Sequence, residues 1–255
     1  MQHRPKRSLG QNFLRDRSVI ERIVAALDLT PEDNVIEIGP GQGALTQLLL
    51  KAGTQVTAIE FDRDLAPALR QRFASTDKLT VIEGDALDVH FKDLALPNTK
   101  LVANLPYNIS TPILQRLIEQ RSGFSRLVLM FQKEVAERIT ATPGGKERGF
   151  LSVLAQNAFD IEYLFDVPRT AFYPVPKVWS AVIRLRPKPV LPNEARFREM
   201  ISLGFMQRRK TLVNNLSQRY PGISDGLQEI GASAKSRAEE LTLEQWQALS
   251  AELHT

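Results

Sequence analysis

The chain has 255 residues, 43% hydrophobic and 24% charged with a formal net charge of +4, proportions of an ordinary globular protein and a length that suits two domains. It contains no cysteine, which excludes disulfides, thiolate nucleophiles and cysteine-ligated zinc. The three histidines, His3, His90 and His254, lack chelating or triad spacing and are expected on the surface with no bound metal, and no apolar run approaches a membrane span.

The first 22 residues carry six bases against Asp16 and Glu21 but lack the apolar stretch of a secretory signal, so an intracellular, cytoplasmic location is expected. Val19, Ile20, Ile23, Val24 and Leu27 recur at helical spacing and predict a helix over 18–28. Strands are then predicted at 34–39, 55–60, 79–83, 100–105 and 126–131, with helices at 43–52, 63–73 and 111–121 between them. This alternation implies parallel βαβ units, and short apolar strands of this kind are covered by helices on both faces. Residues 158–167 and 178–186 read as two more strands, able to pair antiparallel at the sheet edge. Pro187, Pro189 and Pro192 place a domain boundary near 188, dividing the chain into 1–188 and 189–255. The remainder reads as helices over 194–206, 208–219 and 236–253, the last after a Gly- and Ser-containing segment at 222–236. Between Arg184 and Arg219 there are nine Lys or Arg against Glu194 and Glu199. Two basic stretches flanking a near-neutral middle suggest a polyanion bound across both ends, although either alone could be a solvated face.

The first strand runs into Glu37-Ile-Gly-Pro-Gly-Gln-Gly43 and then directly into a helix. Glycines at such a turn let the backbone approach a ligand while helix-start amides face it. Gly39-x-Gly41-x-x-Ala44 also fits a dinucleotide fingerprint, and Glu60 at the second strand end suits ribose hydroxyls in either reading. The third strand ends in Glu83-Gly-Asp85-Ala, which adds a carboxylate able to accept from an adenine amino group. Two acids in one pocket favour a cationic cofactor over a pyrophosphate, and S-adenosylmethionine is such a cofactor.

The fourth strand ends in Asn104-Leu-Pro-Tyr-Asn-Ile-Ser110, where a polar turn would suffice. Adenine N6 is a poor nucleophile because its lone pair is delocalised into the ring. Two acceptors binding both N6 hydrogens would draw the nitrogen towards tetrahedral geometry. The Asn104 side-chain oxygen can be one, and the Leu105 carbonyl, held by the rigid Pro106, the other. Tyr107 offers a stacking face.

Ser8-Leu-Gly-Gln-Asn-Phe-Leu14, Glu37 to Thr46, Glu60, Gly84-Asp85-Ala86, Asn104 to Ser110, and Phe172 with Pro176-Lys177-Val178 together resemble the ribosomal RNA adenine N6,N6-dimethyltransferase family, over about residues 6–216. Phe205-Met-Gln-Arg-Arg-Lys-Thr-Leu212 resembles its small-subunit branch. The resemblance implies an α/β class I methyltransferase (Rossmann-like) fold: a mostly parallel sheet with an antiparallel edge hairpin, plus a small all-helical C-terminal domain. It implies that Asn12 and the backbone of Leu14 close over the cofactor, that Gly39 contacts its methionine part, Glu60 its ribose and Asp85 its adenine. Asn104 would touch cofactor and target, and Phe172 would stack the target base opposite Tyr107. The implied substrate is two adjacent adenosines near the 3′ end of small-subunit rRNA in a ribosomal particle, each methylated twice; separately from the resemblance, a monomer is expected. By resemblance the C-terminal helices would help dock on the particle, and the positive charge of Arg208, Arg209 and Lys210 predicts that they bind RNA. Two departures from the family pattern are Arg148-Gly-Phe-Leu-Ser152, where Tyr-Gly-Arg-Leu-Ser is usual, and Trp179, where an acid is frequent. The rival readings are a large-subunit adenine methyltransferase of the resistance type, against which Gln207-Arg-Arg-Lys210 argues, a DNA adenine methyltransferase, and a ribosome-assembly factor with incidental catalysis.

Overall fold

A computed structural model of the chain describes residues 5, 6, 9–96 and 98–253; His3, Ser8 and His254 lie outside the described residues. The chain divides into two compact units. The first takes residues up to Ala136 together with Asp160–Pro187, and the second takes Glu137–Phe159 together with the residues from Lys188 onward. The second unit thus includes an excursion over 137–159 besides the residues that follow the boundary expected near 188.

The first unit opens with β1 (Phe13–Leu14) and α1 (Arg17–Ala26), the latter capped by Asp16, whose carboxylate accepts the Val19 amide at 3.2 Å. There follow β2 (Asn34–Ile38), α2 (Ala44–Lys51), β3 (Gln55–Glu60), α3 (Leu65–Arg72), β4 (Leu79–Glu83), α4 (Phe91–Leu94), β5 (Lys100–Asn104), α5 (Ser110–Glu119) and β6 (Arg126–Gln132). After α6 (Lys133–Ile139) and α7 (Phe150–Ala158) come β7 (Phe159–Val167), β8 (Phe172–Tyr173) and β9 (Ser180–Pro187).

A seven-stranded sheet has the order β4-β3-β2-β5-β6-β9-β7. β4 to β6 in this order pair in parallel, and β9 pairs antiparallel with β6. This is the class I methyltransferase arrangement. β2 has β3 on one side and β5 on the other, so the chain reverses direction across the sheet there and leaves a crevice at the strand C-termini. Of the two late strands, β9 takes the inner position and β7 the edge. Side-chain character accounts for this. Ala181, Val182, Ile183 and Leu185 of β9 are fully buried, whereas Asp160, Glu162 and Tyr163 of β7 are not. The two-residue β1 and β8 form a separate antiparallel pair, Phe13 with Tyr173 and Leu14 with Phe172. Strands this short leave no periodicity to read.

The second unit contains α7, α8 (Glu194–Gly204), α9 (Leu212–Leu216), α10 (Ile223–Glu229) and α11 (Leu243–Glu252). The helix expected over 208–219 is only α9, because residues 205–210 form turns before Thr211 caps it by accepting the Asn214 amide at 3.3 Å. The segment 222–236 holds α10, with Gly226 in its interior. A Cβ there would lie 3.1 Å from Leu249 and Leu253, so close packing explains a residue that hides the helix from propensity. The helix expected over 236–253 begins at Leu243, where Thr242 and Gln245 make a capping box. Gly204 is required by Trp246: a Cβ would meet the indole at 2.5 Å. Buried Arg148 donates to the carbonyls of Ala141 and Leu241 and to Gln156 Oε1 at 2.8, 3.2 and 2.8 Å. The departure at 148 thus places a guanidinium where it joins the 137–159 excursion to the C-terminal segment.

Candidate active site

At the crevice between β2 and β5 lies a cavity of about 360 Å³, entirely within the first unit. Asn12, Leu14, Gly39, Gly41, Glu60, Asp85, Asn104, Leu105, Pro106 and Tyr107 all line it. Residues separated by more than ninety positions are thereby brought into one wall.

The turn from β2 to α2 has left-handed φ values at Gly39, Gly41 and Gly43, of +68°, +56° and +79°. A Cβ at Gly41 would stand 3.1 Å from the Phe13 ring, and one at Gly43 would stand 2.8 Å from Leu69 and Phe73. Glycine is therefore needed for conformation and for close approach. The Glu60 carboxylate accepts the Gly41 amide and the Asp62 amide, each at 2.9 Å. Glu60 thus braces the glycine turn from the end of β3. Burial pushes its pKa up against those two amide bonds.

Glu37, a cavity residue absent from the sequence-based set, is 1% exposed in the middle of β2. Thr46 Oγ1 donates to its Oε2 at 2.6 Å. Burial drives its pKa up to about 7, opposed by the Thr46 bond and assisted by nearby Glu60. The signal was present in the sequence, since an acid between two isoleucines in a buried strand must be accommodated by a special environment. Asp85 closes a turn by accepting the Leu87 amide on Oδ1 at 2.9 Å, which leaves Oδ2 as a further acceptor.

The segment before α1 forms another wall, and it is tied down by residues the sequence did not nominate. Lys6 Nζ lies 2.6 Å from both Asp62 and Asp64, and Gln11 Nε2 donates to Asp62 at 2.7 Å. Burial works to raise the pKa of Asp62, but Lys6, the Asp64 amide and Gln11 outweigh it and hold the group below its ordinary value. No sequence signal links a lysine at 6 to an acid at 62.

On the reacting loop, the Asn104 amide nitrogen donates to the Asn12 carbonyl at 3.3 Å. The Leu105 amide reaches the Met130 carbonyl at 3.4 Å, while no hydrogen bond to the Leu105 carbonyl is found among the described residues. The hydroxyls of Tyr107 and Ser180 are 3.0 Å apart, which fixes the ring against β9; burial raises the Tyr107 pKa. Two acceptors and a held aromatic face therefore converge on one end of the cavity.

Phe172 is placed differently from expectation. It is 3% exposed, packs in the core with Leu14, and does not line the cavity. Its pairing with Leu14 turns the ring into the hydrophobic cluster rather than towards open space. Arg208, Arg209 and Lys210 are exposed in the second unit. Arg208 donates to the carbonyls of Lys146 and Arg148 at 2.8 and 3.4 Å, so part of its role is to hold that loop. His90 is exposed. Among the described residues no cluster of His, Asp and Glu could hold a metal, and no helix is long and apolar enough to cross a membrane.

S-adenosylmethionine is compatible with this donor set. Buried carboxylates at 37 and 60 and a turn kept clear of Cβ atoms suit a cationic nucleoside and oppose a pyrophosphate.

A family model described as ribosomal RNA adenine dimethylase matches residues 2–255. A ribosomal RNA small subunit methyltransferase A from Syntrophotalea carbinolica is 48% identical, with 98% of this chain and 97% of the relative covered. Among solved structures, a dimethyladenosine transferase from Plasmodium falciparum superposes with a TM-score of 0.81 at 28% identity, covering 93% of this chain and 95% of that one. The 23S rRNA methyltransferase ErmE superposes with a TM-score of 0.77 at 29% identity, covering 95% and 99%.

Proposed function

We propose, given that the chain belongs to the ribosomal RNA adenine dimethylase family, that it dimethylates N6 of two adjacent adenosines near the 3′ end of small-subunit (16S) rRNA. Family membership makes it an S-adenosylmethionine-dependent rRNA adenine N6,N6-dimethyltransferase. The observation that carries the reading is the convergence of Asn104, Leu105 and Tyr107 on the cavity that also contains Glu60 and Asp85.

When bound, S-adenosylmethionine supplies an electrophilic methyl carbon on a positively charged sulfur. Asp85 Oδ2 is the acceptor for an adenine amino group, and Glu60 has lone pairs beyond its two amide bonds for ribose hydroxyls. Gly39 and Gly41 keep the wall open, and Asn12 and Leu14 would close over the cofactor from the segment before α1. Because the Asn104 nitrogen is committed to the Asn12 carbonyl, Oδ1 is left to accept one N6 hydrogen of the target, and the Leu105 carbonyl accepts the other. Pro106 stiffens the turn that presents that carbonyl. Tyr107, locked by Ser180, provides the stacking face. Phe172 would serve as the second face only after the side chains that cover it withdraw.

Small-subunit rRNA is favoured over large-subunit rRNA. Relatives named for the small subunit are 41–48% identical over nearly the whole chain, against 29% for the 23S enzyme. The substrate is read as rRNA within a ribosomal particle, the enzyme as a monomer without metal, and the location as cytoplasmic. Arg209 and Lys210 supply positive charge for RNA from the second unit. The deciding experiment incubates the purified protein with labelled cofactor and undermethylated small subunits, then digests the RNA and identifies the modified nucleosides. N6,N6-dimethyladenosine is expected; label found only on a ring carbon or a ribose oxygen would overturn the reading.

A further inference from the structure

Next to the cavity, the first unit exposes apolar and aromatic surface that the reaction described above does not use. Tyr173 is 49% exposed and Trp179 48%, with Val175 and Val178 also exposed between them. Rings of this size are normally buried, so two open ones within seven residues point to a ligand.

The loop's chemistry narrows the class of ligand. Residues 168–180 include Arg169 and Lys177 and no acid. The Arg15 guanidinium lies 4.2 Å from the Tyr173 ring centroid, which makes a cation and aromatic pair of one face. Open π faces on a loop that carries cations and no acid match unpaired bases on a phosphate backbone. An apolar protein segment would gain nothing from the cations.

Both rings are also attached to the reacting site. Tyr173 pairs with Phe13, a cavity residue. Trp179 immediately precedes Ser180, whose hydroxyl holds Tyr107 at 3.0 Å. The loop itself is anchored: Ala171 O accepts the amides of Arg15 and Asp16 at 2.8 and 3.2 Å, Lys177 O accepts from Arg169 at 3.3 Å, and Trp179 O accepts the Lys133 amide at 2.9 Å. A ring on a fixed loop loses little freedom when a base stacks on it.

We propose that Tyr173 and Trp179 are stacking platforms for unpaired RNA bases flanking the target adenosine, a base-reading site beyond the one that holds the reacting base. This rests on the rRNA reading given above. It also gives Trp179, at a position where the related pattern favours an acid, a chemical role: an indole offers a stacking face that a carboxylate lacks.

The test uses intrinsic fluorescence. The chain has two tryptophans, and Trp246 is fully buried in the second unit, so quenching by a solute reads Trp179. Titrating the whole protein with a short single-stranded oligoribonucleotide containing two adjacent adenosines should quench the emission, and Trp179→Phe should abolish that quenching. By anisotropy of labelled oligonucleotide, Trp179→Ala and Tyr173→Ala should each bind about tenfold more weakly, whereas Trp179→Phe should stay within about twofold because it retains a π face. Wild-type protein that is not quenched, or Trp179→Ala binding the oligonucleotide like wild type, would overturn the proposal. So would a variant that loses affinity for whole small subunits only, which would assign the face to a ribosomal protein. Methyl transfer by the wild type to small subunits, run in parallel, separates the outcomes: its absence removes the functional reading, while its presence alongside unaltered variants removes the platform alone.

Discussion

The side-chain amide of Asn104 donates to the main-chain carbonyl of Asn12 at 3.3 Å, joining the loop after β5 to the segment before α1. The bond fixes which end of the amide is available: nitrogen is occupied and Oδ1 is left as an acceptor. Asn104→Ala removes that acceptor and the tie together. Loss of one preorganised group of this kind typically lowers kcat by about 100- to 1,000-fold, and a drop of that size is expected with undermethylated small subunits. Binding of the variant to the particle, measured by co-sedimentation, should persist. A variant that still transfers methyl groups at near wild-type rate would remove Asn104 from the chemistry. One that transfers nothing yet still completes subunit maturation would favour an assembly factor with incidental catalysis.

Glu60 joins two roles in one carboxylate, bracing the Gly41 and Asp62 amides while facing the cavity. Glu60→Ala orphans both amides and removes the ribose acceptor. Hydrogen bonds to a charged group contribute about 1.5–3 kcal/mol, so cofactor affinity should fall by roughly 10- to 100-fold in calorimetry. Glu60→Gln keeps one acceptor oxygen and should lie between Ala and wild type. Equal affinities across the three proteins would show that the ribose is held elsewhere.

The long, patterned parts of this fold were readable from sequence, and the short or long-range parts were not. The five parallel strands announce themselves because each is a buried apolar run followed by a helix, and the cavity residues on their C-terminal ends follow from that. β1 and β8 have two residues each, so only the three-dimensional pairing of Leu14 with Phe172 reveals them, and that pairing takes Phe172 into the core. The helices α6 and α7 lie in a stretch the strand pattern left unassigned, and α10 was masked by Gly226, whose role is close packing. The latch of Lys6 and Gln11 on Asp62 joins residues more than fifty positions apart with no motif linking them. Glu37 was visible as a letter, but only burial on both faces of β2 shows why its pKa is pushed up.

Arg209 and Lys210 are exposed, with no ion pair found for either among the described residues, while Arg208 holds the 146–148 carbonyls. The double substitution Arg209→Ala with Lys210→Ala is therefore the cleaner probe of RNA contact. Each phosphate contact contributes about 0.7–0.9 to the slope of log affinity against log salt. The double variant should flatten that slope for rRNA binding by about 1.5 if both side chains meet phosphate. Adding Arg208→Ala should also lower Tm through the loop. An unchanged salt slope in the double variant would place the RNA elsewhere on the second unit.

The stability of the protein should depend on pH, with a sign set by Glu37. In the unfolded chain this carboxyl ionises near 4.5, and in the folded chain burial moves it to about 7. Between these values the folded state binds more protons than the unfolded state, so stability is greatest below the lower pKa and falls as pH rises towards the upper one. The gap corresponds to roughly 3 kcal/mol once pH exceeds the folded value. Glu60, shifted in the same direction, adds to the fall in wild type and variant alike. Glu37→Gln stays neutral and keeps an oxygen for Thr46, so urea denaturation of the cofactor-free protein at several pH values between 5 and 8 should show the variant gaining on wild type as pH rises. Cofactor should narrow the difference, since a cation in the cavity favours the ionised carboxylate. Parallel stability curves for the two proteins would mean that Glu37 is already ionised in the empty cavity, and the charge balance assigned to β2 would have to be redrawn.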